Sequence, residues 1–117
     1  MATLTDSGTL AFPLANESTP PSRTYSFELV YTEKFVTDLV LTGAQVDEDV
    51  MGGIADAKAI FVECLTGDGT IEVNAATAGV AIAAAGGWFS WYNAAGGLTA
   101  CTITTDDDAS FRIYLFA

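Results

Sequence analysis

Between residues 24 and 32 the side chains alternate. Tyr25, Phe27, Leu29 and Tyr31 fall on one parity, and Ser26, Glu28, Val30 and Thr32 on the other. Successive side chains of a strand point to opposite faces, so a period of two marks a strand with one face against apolar surroundings. Short runs of β-branched and aromatic residues bounded by turn residues predict further strands at 35–41, 59–65, 70–74, 80–84, 88–93, 98–104 and 110–116. Residues 43–54 carry the acidic run Asp47, Glu48, Asp49 and the pair Gly52-Gly53, and read as a long loop with at most one short strand. Thr66-Gly67-Asp68-Gly69 separates two strand-like runs and is the strongest hairpin signal in the chain. The alanine-rich stretch 75–85 does not predict a helix, because Gly79, Val80, Ile82 and the glycines that follow oppose one. Ala-Ala-Gly-Gly occurs at 84–87 and again at 94–97, and the two copies bracket the aromatic strand as turns. About eight short strands with a turn every ~8–12 residues predict an all-β, single-domain antiparallel β-sandwich. A jelly-roll suits eight strands, and an immunoglobulin-like sandwich is the alternative.

Residues 1–22 differ from the rest. They hold all three prolines, Pro13, Pro20 and Pro21, and are rich in Ser, Thr and Asn. Adjacent prolines remove backbone donors and interrupt regular structure, so 1–22 reads as an extended N-terminal arm and 23–117 as the sandwich. Within the arm Leu10, Phe12 and Leu14 alternate with period two. That pattern fits a strand docked on a neighbouring subunit, and equally a floppy tail or a first strand folded onto its own domain.

Composition narrows the function. At 117 residues, half of them hydrophobic, the chain is one domain with enough apolar material for a core. Fifteen acidic residues stand against four basic ones, for a net charge of −11. Nucleic acid and anionic membranes both require clustered Lys and Arg and are excluded as expected partners. There is no histidine, so no Ser or Cys nucleophile has its usual activating base. The glycine pairs are not followed by the Lys-Ser/Thr of a phosphate loop. No enzymatic activity, cofactor or metal is therefore expected. No basic-then-apolar leader opens the sequence and no run is long enough for a membrane helix. The last strand-like run reaches the penultimate residue, so no C-terminal tail is expected. Cys64 and Cys101 each lie in a strand-like run, either as small core residues or as one disulfide between strands.

Two clusters are candidates for chemistry. In the strand at 88–93, Trp88, Ser90 and Tyr92 share one face, and Phe89, Trp91 and Asn93 the other. Large aromatics on both faces predict cover on both sides, one by the domain's core and the other by a partner or a sugar ring. Asp106, Asp107 and Asp108 precede the last strand. They read as a solvated loop, with Ca²⁺ ligation as the alternative. The residues expected to bind a partner are Leu10, Phe12, Leu14, Trp88, Trp91 and Tyr92.

The run AKAIFVECLTGDGTIEVN from Ala57, the aromatic strand between glycine pairs, and the ending GGLTACTITTDDDASFRIYLFA together carry a resemblance. Over residues 57–117 the chain resembles the small all-β structural proteins encoded among the virion genes of tailed bacteriophages. The resemblance implies a β-sandwich that assembles as a homo-oligomer, often a trimer, and an arm that locks onto the capsid lattice. It brings no catalytic residues. The expected role is thus a non-enzymatic capsid decoration or cement protein of the virion, assembled in the host cytoplasm. Its expected partner is the major capsid protein or another virion protein. The alternative is a carbohydrate- or receptor-binding module of a fibre or secreted protein, in which Trp88, Trp91 and Tyr92 stack on sugars. A third reading is a pilin-like subunit whose arm completes a neighbour's sheet.

Overall fold

The computed structural model describes residues 2–11, 22–75, 78–84 and 86–117. Ten strands run in the order β1 (Ala2–Ala11), β2 (Ser22–Tyr31), β3 (Lys34–Leu41), β4 (Gln45–Asp49), β5 (Ala59–Thr66), β6 (Asp68–Val73), β7 (Val80–Ala83), β8 (Trp88–Tyr92), β9 (Cys101–Thr105) and β10 (Ala109–Phe116). No helix occurs among the described residues. The eight strands from β3 onward form two four-stranded antiparallel sheets. Sheet I has the order β3-β10-β5-β8 and sheet II the order β4-β9-β6-β7. The chain changes sheet at every connection from β3 to β10 except β6–β7. This is the jelly-roll arrangement, and it settles the choice against the immunoglobulin-like order.

The core lies between the sheets. Sheet I contributes Ile60, Val62, Phe111, Ile113 and Leu115, all fully buried, and sheet II contributes Ile71, Ile82, Cys101 and Ile103. Strict alternation explains the selection. In β10, Phe111, Ile113 and Leu115 are buried while Ser110, Arg112 and Tyr114 are only half-buried. The one buried polar side chain among the described residues, Thr105, donates its hydroxyl to the Gly43 carbonyl at 3.0 Å, so its burial carries no unmet hydrogen bond.

The hairpin expected around Gly67 is absent: β5 and β6 belong to different sheets. Both edges of β5 are already taken, by β10 and by β8, so β6 has no edge to pair with. Gly67 instead turns a corner with φ +72°, a conformation that suits glycine. Its carbonyl accepts hydrogen bonds from the Ala84 amide at 2.8 Å and the Cys64 thiol at 3.4 Å.

A clamp that the strand pattern did not signal holds the loop at 93–100. Asn74, at φ 53°, takes the Thr99 amide on its Oδ1 at 2.9 Å and gives its Nδ2 to the Gly97 carbonyl at 3.0 Å. Asparagine is one of the few side-chain-bearing residues that adopts this backbone readily.

β1 and β2 form a separate two-stranded ribbon, paired from Ala2 opposite Tyr31 to Ala11 opposite Ser22. The boundary expected between arm and sandwich falls at the start of β2, which pairs with β1, and the sandwich strands begin at Lys34. A two-residue link, Thr32-Glu33, joins ribbon to sandwich. Both link amides donate to the Ala117 carbonyl, at 2.8 and 3.1 Å. Lys58 adds a tie, donating its Nζ to the Val30 carbonyl at 2.9 Å.

Candidate functional site

The outer face of sheet I is where aromatic side chains gather away from the core. Register sets them in rows across the sheet: Lys34, Phe116, Ala59 and Tyr92; then Val36, Tyr114, Phe61 and Ser90; then Asp38, Arg112, Glu63 and Trp88. Beyond these, Val40 lies opposite Ser110. The near half of the ribbon covers the first rows. Leu29, Ala59, Phe61 and Phe116 form a small second core, flanked by Leu4, Phe27, Tyr31 and Tyr114. Phe27 lies against Tyr92 with ring centroids 3.6 Å apart and planes tilted by 32°, and Tyr31 meets Phe116 edge-on at 4.9 Å and 69°. The edge-on pair has the geometry that the ring quadrupoles favour. β5 therefore has both faces covered, which explains its unbroken run Ala59, Ile60, Phe61, Val62.

At the ribbon's margin a cleft of about 250 Å³ opens between Leu4, Thr5 and Asp6 of β1 and Phe61, Trp88, Tyr114 and Phe116 of sheet I. Trp88 stays 52 % exposed there, with its ring 6.2 Å from that of Tyr114. The far half of the ribbon is different. Ser7, Thr9, Ser22, Arg23, Thr24 and Ser26 are all exposed. Tyr25, half-buried, lies across Gly8 so closely that a Cβ there would meet its hydroxyl at 2.9 Å. The ring thus covers a bare glycine of its own ribbon.

The expected partner-binding residues separate in space. Trp88 and Tyr92 lie on the outer face of sheet I, as their parity predicts. Trp91 points the other way and packs against the main core with Phe89. Leu10 lies in β1 opposite Arg23, while Phe12 and Leu14 lie outside the described residues. The cover over Trp88 and Tyr92 was legible as a need, but its source was not: the chain's own ribbon supplies much of it. The only sequence signal was the matching alternation of Tyr25, Phe27, Leu29 and Tyr31.

In the acidic turn, the Asp108 carboxylate accepts the Gly43 amide at 2.7 Å and the Asp107 carboxylate accepts the Asp108 amide at 2.8 Å. Among the described residues no group of three or more His, Cys, Asp or Glu is arranged to hold a metal ion. Arg112 grips Asp38 with two nitrogens, at 2.8 and 3.2 Å. Its guanidinium holds the Asp38 carboxyl below its ordinary value. Both side chains are about half exposed, so the pair orients the surface more than it stabilises the fold.

Cys64 and Cys101 are free, buried thiols on opposing sheets. Burial, with help from Asp49, pushes the Cys101 thiol up to about 12 from an ordinary 9.0. Burial first and Asp68 second raise that of Cys64. A raised folded-state value means that the folded protein holds its proton where the unfolded chain releases it. The associated stability is complete below pH 9 and is lost as pH rises from 9 through about 12. Chemical denaturation at a series of pH values should show a falling midpoint across that window, and the slope should lessen in Cys101→Ala. An unchanged slope would contradict the assignment.

Fold and face together define a jelly-roll sandwich carrying an appended β-ribbon on the outer side of one sheet. No protein-family model, curated protein or solved structure matches the chain.

Proposed function

We propose that the chain is a non-enzymatic structural component of a tailed-phage virion, a capsid decoration or cement protein that acts by burying surface on the shell. One observation carries the reading: beyond the rows it covers, the ribbon exposes Ser7, Thr9, Ser22, Arg23, Thr24 and Ser26. A two-stranded ribbon alone is marginal in water, so a ribbon packed on the sheet at one end and exposed at these positions of the other is suited to docking elsewhere. The radius of gyration, 15.9 Å, exceeds the roughly 13 Å of a compact chain of this length, in keeping with an appended element. Jelly-rolls serve in capsids and in lectins alike, so the fold is compatible with the role without assigning it. The excess of carboxylates keeps the free protein soluble and complements basic patches on a shell.

Leu10, Phe12 and Leu14 are the arm residues proposed to contact the shell. A chain with all three changed to Ser should remain folded and lose binding to virions purified from its source, read by co-sedimentation. An antibody against the wild-type protein should label those particles at repeated shell positions. Absence of label from every particle, or full binding by the triple variant, overturns respectively the role and the arm's part in it.

The cleft supports a second reading, a carbohydrate- or receptor-binding module. An exposed indole beside Tyr114, with Asp6 on the opposite wall, is the kind of apolar platform with one polar anchor that a sugar ring fits. In this form Trp88 and Tyr114 replace Trp91. Binding on a glycan array that vanishes in Trp88→Ala, without virion labelling, would favour it.

A further inference from the structure

We infer that the cleft at the ribbon's margin binds a methylated ammonium group, such as the head of choline or the side chain of trimethyl-lysine. The inference rests on the binding-module reading of this cleft, gives it a cationic guest in place of a sugar, and does not depend on the virion role. Its starting point is a residue out of pattern. Leu4, Asp6 and Gly8 share one face of β1, opposite Leu29, Phe27 and Tyr25. Leu4, Leu29 and Phe27 pack on the second core and Tyr25 lies across Gly8. Asp6 is the exception on this apolar face, a half-buried carboxylate that lines a cleft of aromatic rings.

No base answers it among the described residues. The ion pair found there joins Arg112 to Asp38, Lys58 gives its Nζ to the Val30 carbonyl, and neither Lys nor Arg lines the cleft. Glu63, directly across from Trp88 in register, adds a second carboxylate at the margin. The rings deepen the negative potential, because the face of an aromatic ring carries the negative lobe of its quadrupole. Trp88 stands 5.9 Å from Phe61 and 6.2 Å from Tyr114 between centroids, at tilts of 41° and 43°. These rings are neither parallel nor edge-on, and Trp88 remains 52 % exposed. A cation held within about 6 Å of such ring centroids is attracted by the rings and by Asp6 together.

The lining also selects among cations. A metal ion takes several oxygen ligands, and the cleft offers one carboxylate. An unmethylated ammonium is strongly hydrated and needs acceptors that an aromatic wall lacks, whereas N-methyl groups bury well against rings. A sugar needs several placed donors and acceptors, and the polar lining is confined to Thr5, Asp6 and the Tyr114 hydroxyl. At about 250 Å³ the cleft is smaller than the roughly 300–1,000 Å³ that encloses a drug-sized ligand, so it takes a head group rather than a whole molecule.

Titration of the isotope-labelled full chain with choline chloride, against sodium chloride at equal ionic strength, tests this by NMR. The indole N–H of Trp88 and the amides of Thr5 and Asp6 should shift and saturate. The neutral isostere 3,3-dimethylbutan-1-ol should bind at least about tenfold more weakly. Asp6→Asn, which keeps the size and removes the charge, should weaken choline binding roughly two- to tenfold. Trp88→Ala should abolish saturation at the two amides. No saturable shift with either choline or a trimethyl-lysine peptide overturns the inference. So does equal binding of the isostere, or undiminished binding by both variants. Phosphocholine and the trimethyl-lysine peptide, titrated in parallel, distinguish the sources: the tighter of the two marks a lipid or polymer head group or a protein side chain, and either supports the site. Glycan binding that vanishes in Trp88→Ala, with no response to these ammonium compounds, overturns this inference and leaves the sugar-binding reading standing.

Discussion

Gly67→Ala should destabilise the protein by about 3 kcal/mol or more, a large share of the ~5–15 kcal/mol that holds a domain together. Two costs combine at this corner. The backbone sits at φ +72°, which costs a side-chain-bearing residue about 1–2 kcal/mol. The new Cβ would also stand 2.5 Å from the Asp108 carbonyl oxygen and 2.9 Å from the Ala109 Cβ. Neither obstacle is the end of a flexible side chain, so one corner must move away from the other. Three corners share that junction, because Gly67 also accepts hydrogen bonds from Cys64 and Ala84. Gly43 is the matched control: its φ is +67°, and a Cβ there would meet nothing within 4 Å. Gly43→Ala should therefore pay the backbone cost alone. Urea midpoints measured on the two variants separate the contributions, and equal losses would show that the corner contact does not matter.

Phe111→Ala should cost about 3–5 kcal/mol, the usual range for a phenylalanine removed from a packed interior. Phe111 is fully buried between the sheets, and its ring reaches so far that a Cβ on Gly69 would lie 2.8 Å from its tip. Gly69 is thus bare because the ring fills its space. Volume moved from one to the other should partly compensate, so Gly69→Ala should harm the wild type more than it harms Phe111→Leu. A double-mutant cycle by denaturation reads this directly, and strictly additive losses would argue against the shared space.

Strand positions were legible in the sequence because alternation is local: β2, β3, β5, β7, β8 and β10 fall within a residue or two of where their patterns place them. Sheet membership was not, because a turn such as 66–69 looks the same whether the next strand returns beside its predecessor or crosses to the opposite sheet. The deciding fact, that β10 and β8 occupy both edges of β5, involves residues far along the chain. The candidate site was half legible for the same reason. Parity separated Trp88 and Tyr92 from Trp91, but nothing near residue 90 reveals that Leu4, Phe27 and Leu29 arrive to cover part of that face.

The central position of β10 in sheet I has a consequence in time. β3 and β5 do not touch each other across the sheet; each is held by β10, whose pairing with β3 joins residues 34–41 to residues 109–116. Until β10 takes its place, β3 has no partner, β5 and β8 are an isolated pair, and Phe111, Ile113 and Leu115 are missing from the interior. Closing so long a loop must come before most of the favourable contacts, which slows folding into the millisecond-to-second range typical of all-β domains. During that interval the β5 segment, apolar on both faces, is uncovered, and crowding of nascent chains at that stage favours aggregation over the native sandwich.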